Sequence, residues 1–360
     1  MKIGIISLYG NFNCGNKLQN YAVQSFFRNM GFDTVIIRNP IRYRFPLDGK
    51  AAGVNIKNYL RHIKNTVKGE KTVVYKNKSF YTFAKRYLTE SEQIIDRYNV
   101  GRKMPECDYY VVGSDQVWND DFAPIDDPLF SLGFAPYKKR LSFSASFGRD
   151  IIPENQKEVL SDTLSGIRLI TVRENTGKEI VEDLTGRKAE VLMDPTLMFD
   201  SGFWEKAENP PSEKLPEKYV FVYHIGEFSD EQKKQTETHA KKIGAETVYF
   251  DRNIGPSEFL YLIHNAECVI TDSFHACAFS VIYKKNFYVL TGKKREQMLN
   301  RITTLLSCLK ITDRIVTDGV FNRLPPDYSS VDEILIKERE KAYSVFGKIF
   351  DEDKATVSYE

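Results

Sequence analysis

The chain has 360 residues, enough for two domains each with its own core. Hydrophobic residues make up 42% and charged residues 28%, which excludes a wholly disordered or fibrous chain. The 51 basic and 49 acidic side chains leave a formal charge of +2, too small an excess for a strong electrostatic grip on nucleic acid.

Residues 3–8 are a short apolar run, read as a strand, that ends in the Gly/Asn-rich loop 10–16. That apolar run is too short for a signal peptide, and no stretch approaches the roughly 18 apolar residues of a membrane span. The expectation is a cytoplasmic protein, with any membrane contact peripheral and at the inner face. Leu18, Ala22, Phe26 and Met30 recur every four residues, one face of a helix, and Gly31 stands where a C-cap is expected. Residues 34–37 are the next strand, so the first forty residues read as a βαβ unit. Residues 41–107 have no clear period. Basic residues and tyrosines interleave from Arg42 to Tyr98, as in an insertion, a flap over a cleft or a solvated face.

Residues 109–112, 141–145, 169–172 and 190–193 read as four more strands. After Asp194-Pro195-Thr196 the texture changes. Residues 201–218, with Pro210, Pro211 and Pro216 among charges, read as a linker. A second series follows, with strands 219–223, 247–250, 268–271 and 287–290 and helices 230–243, 256–266, 275–283 and 297–309. Residues 331–350 carry a long helical pattern. The expected fold is α/β, with two doubly wound, Rossmann-like domains facing a cleft. The expected boundaries are 1–200, 201–330, and a C-terminal helix and tail over 331–360 that packs back on the first domain. Ligands of such folds bind outside the carboxyl ends of the strands.

Residues 268–280 form the strongest constellation. A buried strand ends at Thr271, Asp272 or Ser273 can cap the next helix, and His275 falls in its first turn. A helix N-terminus suits a phosphate or carboxylate. A histidine there has a depressed pKa until an anion arrives, which suits a general acid; a histidine that only packs at a helix start has the same spacing. His224 follows a strand and is a second cleft-facing candidate. His62 and His239 read as surface residues and His264 as structural.

The strand at 109–112 delivers Ser114, Asp115, Gln116 and Asn119 to the cleft face, with Trp118 as a stacking ring. A sugar-binding loop uses such groups, and a tight turn with an Asx cap uses Ser114 and Asp115 equally well. Arg173 also follows a buried strand, where it can hold an oxyanion or pair with Glu174. Lys293, Lys294, Arg295 and Arg301 cluster after strand 287–290. The loop 10–16 opens a helix but is not GxGxxG, so it is a weak dinucleotide signal. The five cysteines are scattered, with no CxxC pair, and read as reduced and mostly buried, without a disulfide framework or zinc site.

GNFNCGNKLQNYAVQSFF, VVGSDQVWN, SFSASFG, VRE, DPTLMF and GPSEFLYLIHNAECVITDSFHACAFS occur in this order. With them the chain resembles the bacterial polysaccharide pyruvyl transferases from about residue 3 to about residue 315. The resemblance implies a GT-B-like architecture, with the acceptor on the first domain and the donor on the second. It implies transfer of pyruvate from phosphoenolpyruvate onto a sugar hydroxyl pair as a cyclic ketal, in cell-surface polysaccharide biosynthesis. The acceptor would be a sugar or a lipid-linked oligosaccharide. No cofactor or metal is implied, with phosphoenolpyruvate as co-substrate. The family's catalytic histidine matches His275, its donor-binding arginine Arg173, and its second basic donor contact Arg301, less closely Lys293 or Arg295. Ser273, Phe274, Asn16, Ser114, Asp115, Gln116 and Asn119 complete the expected substrate-binding set, with Asp115 or Glu174 as base. Several members carry Arg two positions before the histidine. Here that residue is Ser273, which leaves one donor contact unassigned. Two other readings stay open: a GT-B glycosyltransferase with a nucleotide-sugar donor and Glu258 at its ribose, and a non-catalytic sugar-binding protein.

Overall fold

The computed structural model describes residues 1–9, 13–39, 71–226, 228–250, 254–290, 296–316 and 320–357. Two parallel sheets organise them. The first contains β1 (Lys2–Ile6), β2 (Asp33–Ile36), β3 (Tyr109–Asp115), β4 (Arg140–Ala145), β5 (Thr171–Val172) and β6 (Glu190–Val191), in the order β2-β1-β3-β4-β5-β6. The second contains β7 (Tyr219–Tyr223), β8 (Glu246–Tyr249), β9 (Cys268–Thr271), β10 (Asn286–Leu290) and β11 (Ile315–Val316), in the order β11-β10-β9-β7-β8. Both sheets are wound alike. Each chain path starts near the middle, steps to one side, and reverses across its first strand. The reversal lies between β1 and β3 in one sheet and between β7 and β9 in the other. In such sheets the crevice at the reversal is where ligands bind.

The central strands are apolar because helices cover both sheet faces. All seven residues of β3 are buried. The helix Cys14–Asn29 turns Leu18, Ala22, Phe26 and Phe27 into the core. It stops at Met30, and Gly31 takes the left-handed φ of +85° that a glycine tolerates best. The helices Glu154–Ser165 and Asn175–Thr185 and the short strand β11 add to the elements named from the sequence.

Two segments differ from expectation. The stretch read as a linker opens with the helix Ser201–Glu205, whose Trp204 is fully buried. That ring packs against Phe279 of the second unit and Tyr21 of the first, so the crossing point is part of the core. Within the irregular region, Lys71–Tyr87 is a helix with Phe80, Phe83 and Ala84 buried, packed between the helix Cys14–Asn29 of the first unit and the helix Pro256–His264 of the second. It is a packed element rather than a loose flap, while residues 40–70 lie outside the described residues.

The helix Tyr328–Val357 returns from the second unit to the first. Tyr328 donates to the Lys285 carbonyl. Further along, Phe346 and Phe350 bury their rings among Phe26, Phe27, Phe143 and Tyr109. Arg168 pairs with Asp353 at 2.7 Å to clamp its end. Among the described residues no helix is long and apolar enough to cross a membrane.

Candidate active site

Two helix N-termini meet where the sheets face each other. Ser273 caps the helix Phe274–Ile282, its side chain accepting from Ala276 N. Asp272, the other expected cap, instead accepts from Ile225 N (2.7 Å) and Gly226 N (2.8 Å), tying down the loop after β7. His275 is therefore held in the first helical turn, and it is buried. Against it lies the start of the helix Cys14–Asn29, capped by Asn13. A Cβ on Gly15 would stand 2.2 Å from His275 Nδ1, so only glycine permits this approach. Both N-termini bring unpaired backbone N–H groups and partial positive charge to one place.

Asp194 is the hub beneath them. Its Oδ1 accepts from Thr196 N (3.0 Å) and Thr196 Oγ1 (2.8 Å). Its Oδ2 accepts from Arg173 Nη1 (2.7 Å) and Ser114 Oγ (3.0 Å), and lies 3.7 Å from His275 Nε2. The Arg173 guanidinium sits 4.7 Å over the Phe274 ring, which meets His275 edge-on. Glu174 Oε1 accepts from Ser146 Oγ and Phe147 N. Arg301, in the helix Glu296–Cys308, is buried and interacts electrostatically with Arg173, Asp115, Glu174 and Asp194. The cluster thus draws on β3, β5, the turn after β6, and two helices of the second unit.

Burial pushes the Asp194 carboxyl up, but His275, Arg173 and the Thr196 donors outweigh it and hold it at about 2. Burial pushes the His275 imidazole down; Asp194 and Asp115 pull it back, while Arg173 and Arg301 add to the depression, and the net direction is down. Burial also lowers Arg301, to about 10, with Arg173 as the next cause. The directions describe a carboxylate held in its charged form beside two guanidinium groups and an imidazole whose burial opposes protonation.

Five buried polar atoms of this cluster have no hydrogen-bond partner: Arg173 Nε and Nη2, Glu174 Oε2, His275 Nε2 and Arg301 Nε. Unpaired buried polar atoms are costly and rare, so a group of them calls for a ligand. Among the described residues no group of three or more His, Cys, Asp or Glu is placed to hold a metal.

The other expected residues divide. Asn16 donates to Asp115 Oδ2 at 3.3 Å, while its own Oδ1 is unpartnered. Asp115 has a left-handed φ of +80°, and its Oδ1 accepts from Gln116 N at 2.9 Å. Ser114 belongs to the Asp194 hub. Gln116 and Asn119 bond each other at 3.0 Å, Asn119 also accepts from Arg149, and Gln116 presses on Gly148. Gln116 Oε1 and both amide atoms of Asn119 are thus engaged in clasping the loops after β3 and β4.

Trp118 is buried and donates to the Phe130 carbonyl, so it is a core ring and not a stacking surface. Glu258 Oε2 accepts from Gly255 N at 3.1 Å, a capping role at the start of the helix Pro256–His264. His239 is a buried core residue between Tyr288 and Phe321, not a surface one. His264 pairs with Glu208. His224 stacks on Phe228, its Nδ1 3.5 Å from Asp272. His62, Lys293, Lys294 and Arg295 lie outside the described residues. Asp194 and Gly15 have no role in the sequence reading. Their signals were an Asp-Pro-Thr turn directly after a strand, and a glycine one position inside a helix start.

Two facing doubly wound domains with a buried Arg–Asp–His cluster between them define an α/β enzyme of GT-B-like architecture. Residues 13–293 match the model of the polysaccharide pyruvyl transferase family, and the chain belongs to that family. No curated protein matches it. Several solved structures are similar in fold. An α-glucosyltransferase in complex with UDP and a 13-mer DNA has 10% identity and a TM-score of 0.47, with 99% of each chain covered. The UDP-GlcNAc 2-epimerase from Methanocaldococcus jannaschii has 12% identity and a TM-score of 0.44, covering 93% of this chain and 99% of that one. The glycosyltransferase SnogD from Streptomyces nogalater has 10% identity and a TM-score of 0.42, with 94% of each chain covered.

Proposed function

We propose that this pyruvyl transferase moves pyruvate from phosphoenolpyruvate onto two hydroxyls of a sugar as a cyclic ketal, in cell-surface polysaccharide synthesis. The acceptor is a sugar or lipid-linked oligosaccharide, and the enzyme acts in the cytoplasm. The observation that carries this reading is the group of five unpartnered buried atoms. Arg173 spends Nη1 on Asp194, while Nε and Nη2 make no hydrogen bond and face Glu174 Oε2 at 4.0 Å and Asp115 Oδ1 at 3.8 Å, so an oxyanion gripped on that edge with two parallel bonds would compete with these two carboxylates. Arg301 offers a second donor, and the paired helix N-termini offer backbone N–H groups. A donor with one phosphate and one carboxylate matches that set.

In this reading His275 Nε2 gives a proton to the methylene carbon, and the adjoining carbon becomes the electrophile. A bound trianion raises the proton affinity of His275, so the imidazole is charged when the donor is present. One sugar hydroxyl attacks and gives up its proton. Phosphate leaves, and a second hydroxyl closes the ring. One hydroxyl proton is thereby balanced by the new methyl group and the other leaves on phosphate, so the reaction closes without a cofactor. Of the two candidate bases, Asp115 accepts hydrogen bonds at both oxygens, whereas Glu174 Oε2 accepts none and lies 4.0 Å from Arg173 Nε. Glu174 is the base in this scheme.

The test incubates purified protein with phosphoenolpyruvate and a panel of sugar acceptors. Phosphate release that requires both substrates, and that is lost in His275→Ala and reduced in Arg173→Ala, is expected. Donor-independent turnover, or full activity in His275→Ala, would overturn the reading. A thermal shift separates donors: phosphoenolpyruvate is expected to stabilise the protein and a nucleotide sugar is not.

A further inference from the structure

A second polar pocket lies beside the cluster, at the carboxyl ends of β1 and β2. It has a volume of about 400 Å³ and is bounded by Tyr9, Arg38, Asn39, Tyr81, Lys85 and Glu90, among others. Its wall is built. Tyr9 donates to Glu90 Oε1 at 2.7 Å. Behind both, Lys17 Nζ lies 3.6 Å over the Tyr9 ring and 3.7 Å from Glu90 Oε1. Lys17 is fully buried and its Nζ has no hydrogen-bond partner; burial lowers it to about 8. Arg38 donates to the Glu92 carbonyl, leaving its buried Nε unpartnered. Among the described residues neither Arg38 nor Lys85 pairs with a carboxylate. Glu90 is engaged by Tyr9 and Lys17, so among the described lining residues the unbalanced charge is positive.

The pocket is wired to the transfer site. Asn39 Nδ2 donates to the Ser7 carbonyl, Ser7 Oγ to the Ser114 carbonyl, and Ser114 Oγ to Asp194. Consecutive residues of one helical turn serve both places, Asn16 toward Asp115 and Lys17 toward Glu90. β2 and β3 flank β1, so the pocket lies about 10 Å, two strand spacings, from the Ser114–Asp115 edge of the transfer site. One acceptor molecule can touch both.

We propose that this pocket binds a phosphoryl group carried by the acceptor sugar, held by Arg38 and Lys85, with Tyr9 and Tyr81 beside it as ring surfaces. The proposal rests on the pyruvyl-transfer reading of the neighbouring cluster and names the class of its acceptor: a sugar bearing a phosphate or pyrophosphate ester. Arg and Lys together on an otherwise neutral wall suit an oxyanion better than a neutral sugar. No bond is made or broken here, and the pocket sets which acceptor is presented.

Inorganic pyrophosphate is the first probe, titrated calorimetrically into the wild-type protein saturated with phosphoenolpyruvate. One equivalent is expected to bind, with affinity reduced about tenfold or more in Lys85→Glu and in Arg38→Ala. Lys85 is exposed, so its replacement does not endanger the fold. Absence of binding, or binding untouched by both variants, overturns the proposal. The second arm compares a methyl glycoside with the glycosyl diphosphate of the same sugar in phosphate release. A KM about tenfold lower for the diphosphate, with the preference lost in Lys85→Glu, is expected. Equal KM values overturn the assignment to the acceptor and leave a site for free phosphate. The phosphoenolpyruvate isotherm is read separately, and its failure would overturn the donor reading instead.

Discussion

Replacing Gly15 with alanine tests whether the contact between the two helix N-termini sets the catalytic geometry. The new Cβ would lie 2.2 Å from His275 Nδ1, 2.3 Å from its Cγ and 2.8 Å from its Cβ. Ordinary contact begins at 3.4 Å, so the methyl and the imidazole must separate by roughly 1.2 Å. The ring has little room to yield. It is 7% exposed, meets Phe274 edge-on, and has Asp194 on its far side. The strain is therefore shared between a tilted imidazole and displaced helix starts. Overpacking of this kind costs about 1–3 kcal/mol. A shift of about 1 Å at a positioned catalytic group costs on the order of 100-fold in rate. The expected result is kcat/KM for phosphate release down about 100-fold, with an unchanged far-ultraviolet spectrum and a melting temperature a few degrees lower. Gly347→Ala is the control. Nothing lies within 4 Å of a Cβ there, and a glycine inside the helix Tyr328–Val357 costs about 0.5–1 kcal/mol relative to alanine. That variant is expected to gain stability and keep its rate. A Gly15→Ala enzyme with wild-type kcat/KM would refute the argument that this contact places His275.

Burial depresses His275 below 6.5, so the unfolded chain takes up its proton at a higher pH than the folded one. Stability should then decline as pH falls through about 6.5, and His275→Gln should remove that part of the decline. Urea unfolding of both proteins at pH 7.5 and 5.5 measures the difference, and parallel losses would count against a buried neutral imidazole. Donor binding should reverse the depression and draw in a proton. Calorimetry at pH 7.5 in buffers of different ionisation enthalpy is expected to show uptake of close to one proton per phosphoenolpyruvate in the wild type and little in His275→Gln. Equal enthalpies in all buffers would exclude His275 as the acid. Phe346 is fully buried among Phe26, Phe27 and Phe143, so Phe346→Ala should destabilise by about 3–5 kcal/mol. A loss under about 1 kcal/mol in denaturant unfolding would show that the C-terminal helix is not part of the first unit's core.

The strand and helix series was legible because its signals are local. Leu18, Ala22 and Phe26 repeat at helical spacing, and β3 and β9 are apolar runs closed by small polar residues. His275 was legible for the same reason, since a strand followed at once by a capped helix start fixes where its side chain emerges. Other positions depended on partners far along the chain. Gln116 and Asn119 have the composition of a sugar-binding loop, and only Arg149 and Gly148, brought opposite by β4, turn them inward. His239 sits on a charged helix, and its burial follows from Tyr288 and Phe321 closing over one position of that helix. Trp204 hides among charges and prolines because the core it enters is formed jointly by Tyr21 and Phe279.

Asp194 shows why the chemistry of the site exceeds what spacing can carry. Locally it is an Asx cap on Thr196, and that role alone explains its sequence context. Its second oxygen acquires a different role because β3, β5 and β6 converge, bringing Ser114, Arg173 and Asp194 together although 80 residues separate the first from the last. The same convergence alters the meaning of the nearly neutral composition. Around Arg173 and Arg301 stand three acidic side chains, Asp115, Glu174 and Asp194. The cluster is therefore not a simple positive hole, and two guanidinium groups alone do not balance a trianionic donor. Among the described residues, the two helix N-termini and a proton on His275 are what can supply the remaining positive charge. Under the proposed reaction, binding of the donor and charging of His275 would be one event, with the imidazole kept neutral until there is a methylene carbon to protonate.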